Sequence, residues 1–301
     1  MAGSGPLTGR RVFVTGATGF IGTHLTRALA AEGATVHRLQ GDIRDRAAVA
    51  AAVDAARPEL VFHLAAYGTT PVQRDEQRMR EVNLGGAKHL WDALDRWSCR
   101  IVQTGSCGEY GPATGALRED HPCRPATPYA TTVHEAVSYS TERARRTGRE
   151  LVIVRPFGPY GPGDRPERLI PFVMSGLLSG QRVAVTAGEQ RRDYSFIDDH
   201  VRALMLAGSA PLSGTPRICN IGSGGPIAVR TLVERIAAVV DGGALARVDF
   251  GAVPYRPGDL TDMFADTTAA RRDLGYEPAI ALEAGLERTV AWHRTSRAGA
   301  A

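Results

Sequence analysis

Short apolar runs alternate with longer mixed stretches through the first half of the chain. "RRVFVTG" reads as a buried strand, followed by a glycine turn and a helical run ending at Gly33. "ATVHRLQ" is a second strand, and "RAAVAAAVDAARP" a helix stopped by Pro58. "ELVFHLAAY" is a third strand, "VNLGGAKHLWDALDRW" a helix and "RIVQTGS" a fourth strand. Strands separated by helices of this length predict right-handed βαβ units, hence an α/β fold whose parallel sheet is covered on both faces. No internal repeat or low-complexity segment interrupts the rhythm.

Composition changes this picture little. The 301 residues suffice for one large α/β domain, or for a nucleotide-binding domain with a smaller cap. No apolar run approaches membrane-spanning length, and "MAGSGPLTGRR" lacks the apolar core of a secretory signal. A cytoplasmic location and a disordered lead-in are therefore expected. Cys99, Cys107, Cys123 and Cys219 have no Cys-x-x-Cys spacing, so neither a metal site nor a disulfide framework is expected. The net charge of +4 is small, and the arginines are scattered, which argues against nucleic acid as a partner. Lys88 is the one lysine; arginine holds the other cationic positions.

The strongest chemical signal is "VTGATGFIG". Gly16, Gly19 and Gly22 follow a strand and open a helix, the setting of a dinucleotide site. Glycine allows the tight turn and close backbone approach, while the helix N-terminus offers free N–H groups to a pyrophosphate.

Thr-Gly-x-x-Gly-Phe-Ile-Gly resembles the fingerprint of the extended short-chain dehydrogenase/reductase family, whose members modify nucleotide sugars. The resemblance runs from about Arg11 to Arg294 through "GDIRD", "HLAAY", "VRPFGPYGPGD", "RRDYSFIDD" and "YRPGDLTDMFADTTAARRDLGYEP". It implies a Rossmann-type doubly wound sheet with a smaller α/β cap. The dinucleotide domain would span 7–156 plus about 190–222, and the cap 157–189 and about 223–295. Tails 1–6 and 296–301 would be disordered. Implied cofactor contacts are Gly16, Gly19, Phe20, Ile21, Gly22, Arg38, Gln40, Asp42, Ile43, Leu64, Ala65, Ala66, Asn83, Thr104, Tyr129 and Pro156. Relatives commonly dimerise through a four-helix bundle, so a homodimer is implied.

Gln40 lies 18 residues beyond Gly22, where a carboxylate would hold the ribose 2′-OH of NAD and repel a 2′-phosphate. Its replacement, with Arg38 and Arg44 nearby, points to NADP(H), with NAD(H) the alternative.

By the same resemblance Ser106 and Tyr129 are the catalytic pair. The serine steadies the substrate oxygen and the phenol exchanges a proton while hydride moves. The family's lysine four residues after the tyrosine is here Val133. A unit charge about 5.5 Å away at an effective dielectric near 20 is worth roughly 3 kcal/mol, or about two pKa units. Without it little phenolate exists at neutral pH. Oxidising an alcohol needs that phenolate, whereas reducing a ketone needs the phenol. His134 is turned about 100° around the helix and is expected to face solvent or a helix neighbour. Ordered water or Arg155 are other possible compensators.

Further departures narrow the chemistry. Sugar-nucleotide 4,6-dehydratases resemble Thr-Asp-Glu where this chain has Ser106-Cys107-Gly108, and Glu109 falls one place late. "GSCGEYG" is closer to the segment of GDP-4-keto-6-deoxymannose reductase. Cys107 would line the sugar pocket or be buried. Gly158 stands where relatives carry an asparagine that touches substrate. Arg192 and Arg256 match arginines that grip the nucleotide diphosphate, or else form surface ion pairs. The combined expectation is an NADPH-dependent reductase of the 4-keto group of a nucleotide-linked 4-keto-6-deoxyhexose. The alternatives are a 4-epimerase with bound NAD, or a binding protein that has lost its chemistry.

Overall fold

The computed structural model describes residues 5–70, 72–212, 214–255 and 262–298. The first five strands are β1 (Arg11–Thr15), β2 (Thr35–Arg38), β3 (Leu60–His63), β4 (Arg100–Thr104) and β5 (Gly115–Leu117). After them come β6 (Leu151–Pro156), β7 (Pro159–Tyr160), β8 (Val183–Val185), β9 (Arg191–Asp193) and β10 (Ser195–Phe196). The last four are β11 (Arg217–Ile221), β12 (Pro226–Ala228), β13 (Val248–Phe250) and β14 (Met263–Ala265). Six of these form one sheet in the order β11-β6-β4-β3-β1-β2, every pair parallel.

The helices are α1 (Phe20–Ala31), α2 (Arg46–Ala56), α3 (Glu76–Arg80), α4 (Gly86–Leu94) and α5 (Pro128–Thr147). Then come α6 (Leu169–Leu178), α7 (Ile197–Ser209), α8 (Val229–Val240), α9 (Thr268–Leu274) and α10 (Leu282–Ala298). The period-2 geometry of a strand sends alternate residues to opposite faces. Val12 and Val14 of β1 join the core beneath α1 and α7, while Phe13 joins the one beneath α2, α4 and α5. None of the helices among the described residues is long and apolar enough to cross a membrane.

The sheet reverses its strand order between β1 and β3, which opens a crevice at their carboxyl ends. Two features hold the crevice in shape. The helix expected over "VNLGGAKHLWDALDRW" begins as a π-helical segment, Glu81–Gly85, in which Asn83 is buried. Its side chain accepts from the Tyr67 N–H at 2.8 Å and donates to Tyr67 O and the Thr132 hydroxyl, pinning the loop after β3 to α5. Helix α5 starts sharply because Thr127 caps it, accepting from the Ala130 N–H, with Pro128 at its first position.

The chain returns to the main sheet through α7 and β11. The stretch between, β9 and β10, joins smaller sheets instead: β9 lies with β12, β14 and β5, and β10 pairs with β7. Strand β5 carries part of the first half of the chain into that small sheet, an element the pattern of apolar positions did not reveal. Asp193 locks the junction: buried, it accepts from the Ser223 N–H and hydroxyl, the Gly224 N–H and the Ala265 N–H. Residues 1–4 and 299–301 of the expected tails lie outside the described residues.

Candidate active site

The crevice floor is built by missing side chains. Gly16 has φ +71°, and a Cβ there would lie 2.7 Å from the backbone of Leu64 and Ala65. A Cβ on Gly22 would come within 2.1 Å of Gly16 O, and one on Gly19 within 3.2 Å. The three glycines thus let a turn, a helix start and the strand beside them meet backbone to backbone. A groove of about 120 Å³ runs over them, lined also by Phe20, Ile21, Leu64, Ala66 and Thr104. This is a cradle a Cβ would fill, and it fits a dinucleotide pyrophosphate at the start of α1. Ala65 and Pro156 sit at strand ends bordering the crevice.

Four residues of the groove were not anticipated: Thr69 after β3, and Asp164, Arg165 and Arg168 before α6. Asp164 is buried, and burial lifts its carboxyl to about 6 against the pull of Arg168, 3.6 Å away. In the sequence Asp164 entered only as the last residue of "VRPFGPYGPGD", and nothing there marked it as lining the groove.

At the adenosine end, Arg38 closes β2 and is exposed, as is Gln40. Arg44 is already engaged: it donates to Asp42 at 2.9 Å and to Glu81 at 3.1 Å. Asp42 is held below the usual carboxylate range by that hydrogen bond. Ile43 is buried against Gly86, where a Cβ would meet it at 2.8 Å. Of the two arginines, both exposed, Arg44 is the one paired with carboxylates.

Tyr129 sits in the first turn of α5, its ring beside Gly68, where a Cβ would touch it at 3.0 Å. Burial pushes its phenol up to about 12, nearby Cys107 adds to this, and the hydrogen bond with Ser106 draws it down. Val133, one turn on, is 5% exposed and packs in the core with Val137 and Ile153. The place where the family carries ammonium is apolar protein interior. Cys107 is half-buried, and burial raises its thiol to about 11.

Ser106 caps a short 3-10 turn, Cys107–Tyr110, accepting from the Gly108 N–H at 3.1 Å. Glu109 completes a reciprocal cap by accepting from the Ser106 N–H at 2.9 Å. Its carboxylate is fully buried and gripped by Arg155 of β6 through two bonds of 3.1 and 3.0 Å. His134, expected to face solvent or a helix neighbour, is partly exposed but also reaches the 3-10 turn. Its Nδ1 lies 3.1 Å from Glu109 Oε2, because the 3-10 turn packs on the side of α5 next to the Tyr129 face. Burial opposes the charge on Glu109, but His134 and Arg155 outweigh it and keep the carboxyl low. Hydrogen bonds to Cys123 and then Glu109 raise His134 to about 9.

Gly158 has φ +42°, and a Cβ would lie 2.1 Å from Asp193 O, so no asparagine fits there. Arg192 is half-buried on β9 and donates to Arg191 O. Arg256 lies outside the described residues.

A glycine cradle at a strand-order switch, with a serine and tyrosine at the sheet's carboxyl edge, is the arrangement of NAD(P)-dependent oxidoreductases of the extended short-chain dehydrogenase/reductase type. This chain is one of them. It belongs to the NAD dependent epimerase/dehydratase family, which residues 12–222 match. It is 32% identical to the UDP-glucose 4-epimerase of Mycolicibacterium smegmatis, over 94% of this chain and 98% of that protein. The UDP-glucose 4-epimerase of Thermotoga maritima, solved with UDP-glucose, superposes with a TM-score of 0.88 at 27% identity, covering 95% of this chain and 99% of that one. MoeE5, solved with UDP-glucose and NAD, gives 0.83 at 30% identity with the same coverage. The activity is of the NAD-dependent epimerase/dehydratase type.

Proposed function

We propose that the protein is a nucleotide-sugar 4-ketoreductase that uses NADPH to reduce the 4-keto group of a 4-keto-6-deoxyhexose. Bound dinucleotide supplies the hydride. Ser106 steadies the ketone oxygen, and Tyr129 gives it a proton as the alkoxide develops. The observation that carries this reading is Val133, packed in the apolar core where a cation would stand, beside a phenol that burial pushes up to about 12. A site that begins by taking a proton from an alcohol would be starved of base there; one that donates a proton is already charged. Dehydration is disfavoured too, because Cys107 and Gly108 offer no carboxylate and Glu109 is locked onto Arg155. Gln40 and the exposed Arg38 support NADPH over NADH. Arg192 and Arg256 would hold the diphosphate.

The test is NADPH oxidation with TDP-, GDP-, CDP- and UDP-linked 4-keto-6-deoxyhexoses, repeated with NADH and with Tyr129→Phe. Turnover that prefers NADPH and disappears in the variant supports the reading; no consumption of reduced cofactor with any of the sugars refutes it. A second reading, 4-epimerisation with retained NAD, is favoured by the epimerases among the similar proteins. It requires NAD to co-purify and UDP-glucose to be interconverted without net cofactor change. The same family reading carries a homodimer built from α4 and α5 of two copies, which light scattering would find at twice 32.1 kDa.

A further inference from the structure

The charge cluster behind Ser106 has no part in the scheme above, yet it touches the scheme at its serine. Glu109 accepts the Ser106 N–H, so the carboxylate sets where the serine backbone, and with it Oγ, comes to rest. Arg155 by itself would satisfy that carboxylate, since its two-pronged grip is the strong geometry for such a pair. His134 sits on the same oxygen, and its side chain is one-third exposed. Protonated, it brings the trio to a net charge of +1; neutral, it leaves zero. The charge on Glu109 reaches Tyr129 and disfavours release of its proton. A second cation on Glu109 offsets that effect.

We propose that Glu109 is a positioning residue for Ser106, and that protonated His134 is its charge-balancing partner, supplying from behind the serine the positive charge that Val133 cannot supply beneath the tyrosine. The inference rests on Ser106 and Tyr129 being the reacting pair. The groups facing His134 are Glu109 on the 3-10 turn and Cys123 on the loop before α5, with Arg155 of β6 directly behind them. Glu135, its neighbour on α5, is paired with Arg80. Glu109, Cys123 and His134 also have the donor types of a metal centre, their atoms lying within 4.8 Å of one another. Arg155 argues against that: its guanidinium donates to Cys123 Sγ at 3.2 Å and to Glu109 at 3.0 Å, where it would repel a divalent ion.

The experiment uses His134→Gln, which keeps size and hydrogen bonding but removes charge at a partly exposed position. In the ketone-reduction assay kcat is expected to fall about tenfold, the effect of roughly one pKa unit on the donor. The KM for sugar nucleotide and the affinity for dinucleotide should stay at the wild-type values. Wild-type kcat should decline as pH rises through about 9, where the imidazolium loses its proton. The variant should show no such limb, and His134→Lys should restore turnover and move the limb upward. Wild-type kcat and an unchanged limb in His134→Gln would overturn the proposal, as would a loss confined to KM. Independently of turnover, ¹⁵N NMR of the full chain should find His134 titrating near 9, and markedly lower in Glu109→Gln. A wild-type midpoint below 7, or one zinc per chain that vanishes in His134→Gln, also overturns it. Turnover surviving in Tyr129→Phe instead removes the reacting pair itself, and this inference with it.

Discussion

In the proposed reaction a single phenol, that of Tyr129, would set the direction in which the site works. Desolvation of its partly buried ring and the apolar Val133 one turn on both favour the protonated form. Replacing it with phenylalanine should lower kcat by about 10²- to 10⁴-fold, the usual contribution of a positioned acid, while leaving dinucleotide affinity intact in a fluorescence titration. Val133→Lys should do two opposing things. Loss of a buried valine costs roughly 1–2 kcal/mol in chemical denaturation. A cation one turn from the phenol should lower its pKa and speed oxidation of a sugar alcohol relative to reduction of the ketone. Unchanged relative rates would show that the ammonium does not reach the tyrosine. Asp164 gives a pH signature of its own. Burial holds its folded-state carboxyl near 6, above the unfolded value of about 4. The folded state therefore binds the extra proton, and stability rises as pH falls through 6 towards 4. Asp164→Asn should stabilise the protein by about 2 kcal/mol at pH 8 and by little at pH 4, read from denaturant midpoints at the two values.

At the scale of elements, the site depends on where backbone approaches backbone. Strand β7 follows a left-handed Gly158 whose missing Cβ lets β9 pass against it. Gly158→Ala should combine strain at positive φ with a steric clash at Asp193 O. A loss of more than about 2 kcal/mol is expected in urea denaturation. That position was read from sequence as a lost substrate contact. The structure gives a steric reason for the glycine, invisible without the strand 35 residues later that crowds it. The glycine turn before α1 was legible because its cause is local. Three glycines between a strand and a helix say what they do within a few residues.

For the whole molecule, Asp193 joins β9 to the segments at Ser223 and Ala265 by accepting from four donors. Asp193→Ala would strand those donors, three of them backbone N–H groups. A destabilisation of about 3 kcal/mol or more is expected, with the calorimetric transition broadening as the small sheet uncouples from the large one. A sharp transition at the wild-type temperature would mean the junction is held elsewhere.

The amino-acid order alone determined the parallel sheet, the glycine turn before α1, the family, and that a valine, not a lysine, stands four residues after Tyr129. Those follow from periodicity and from motifs whose parts are close in sequence or fixed in spacing. Tertiary structure alone decided that Glu109 turns inward to Arg155 and that His134 joins it. It also decided that Arg44 is occupied while Arg38 is exposed, and that Asp164 and Arg168 line the groove over the three glycines. Charges choose partners by distance in space. The pairs around Glu109 and Arg44 bridge 25 to 46 residues of chain, and a sequence read in short windows carries no record of which of its many arginines will arrive.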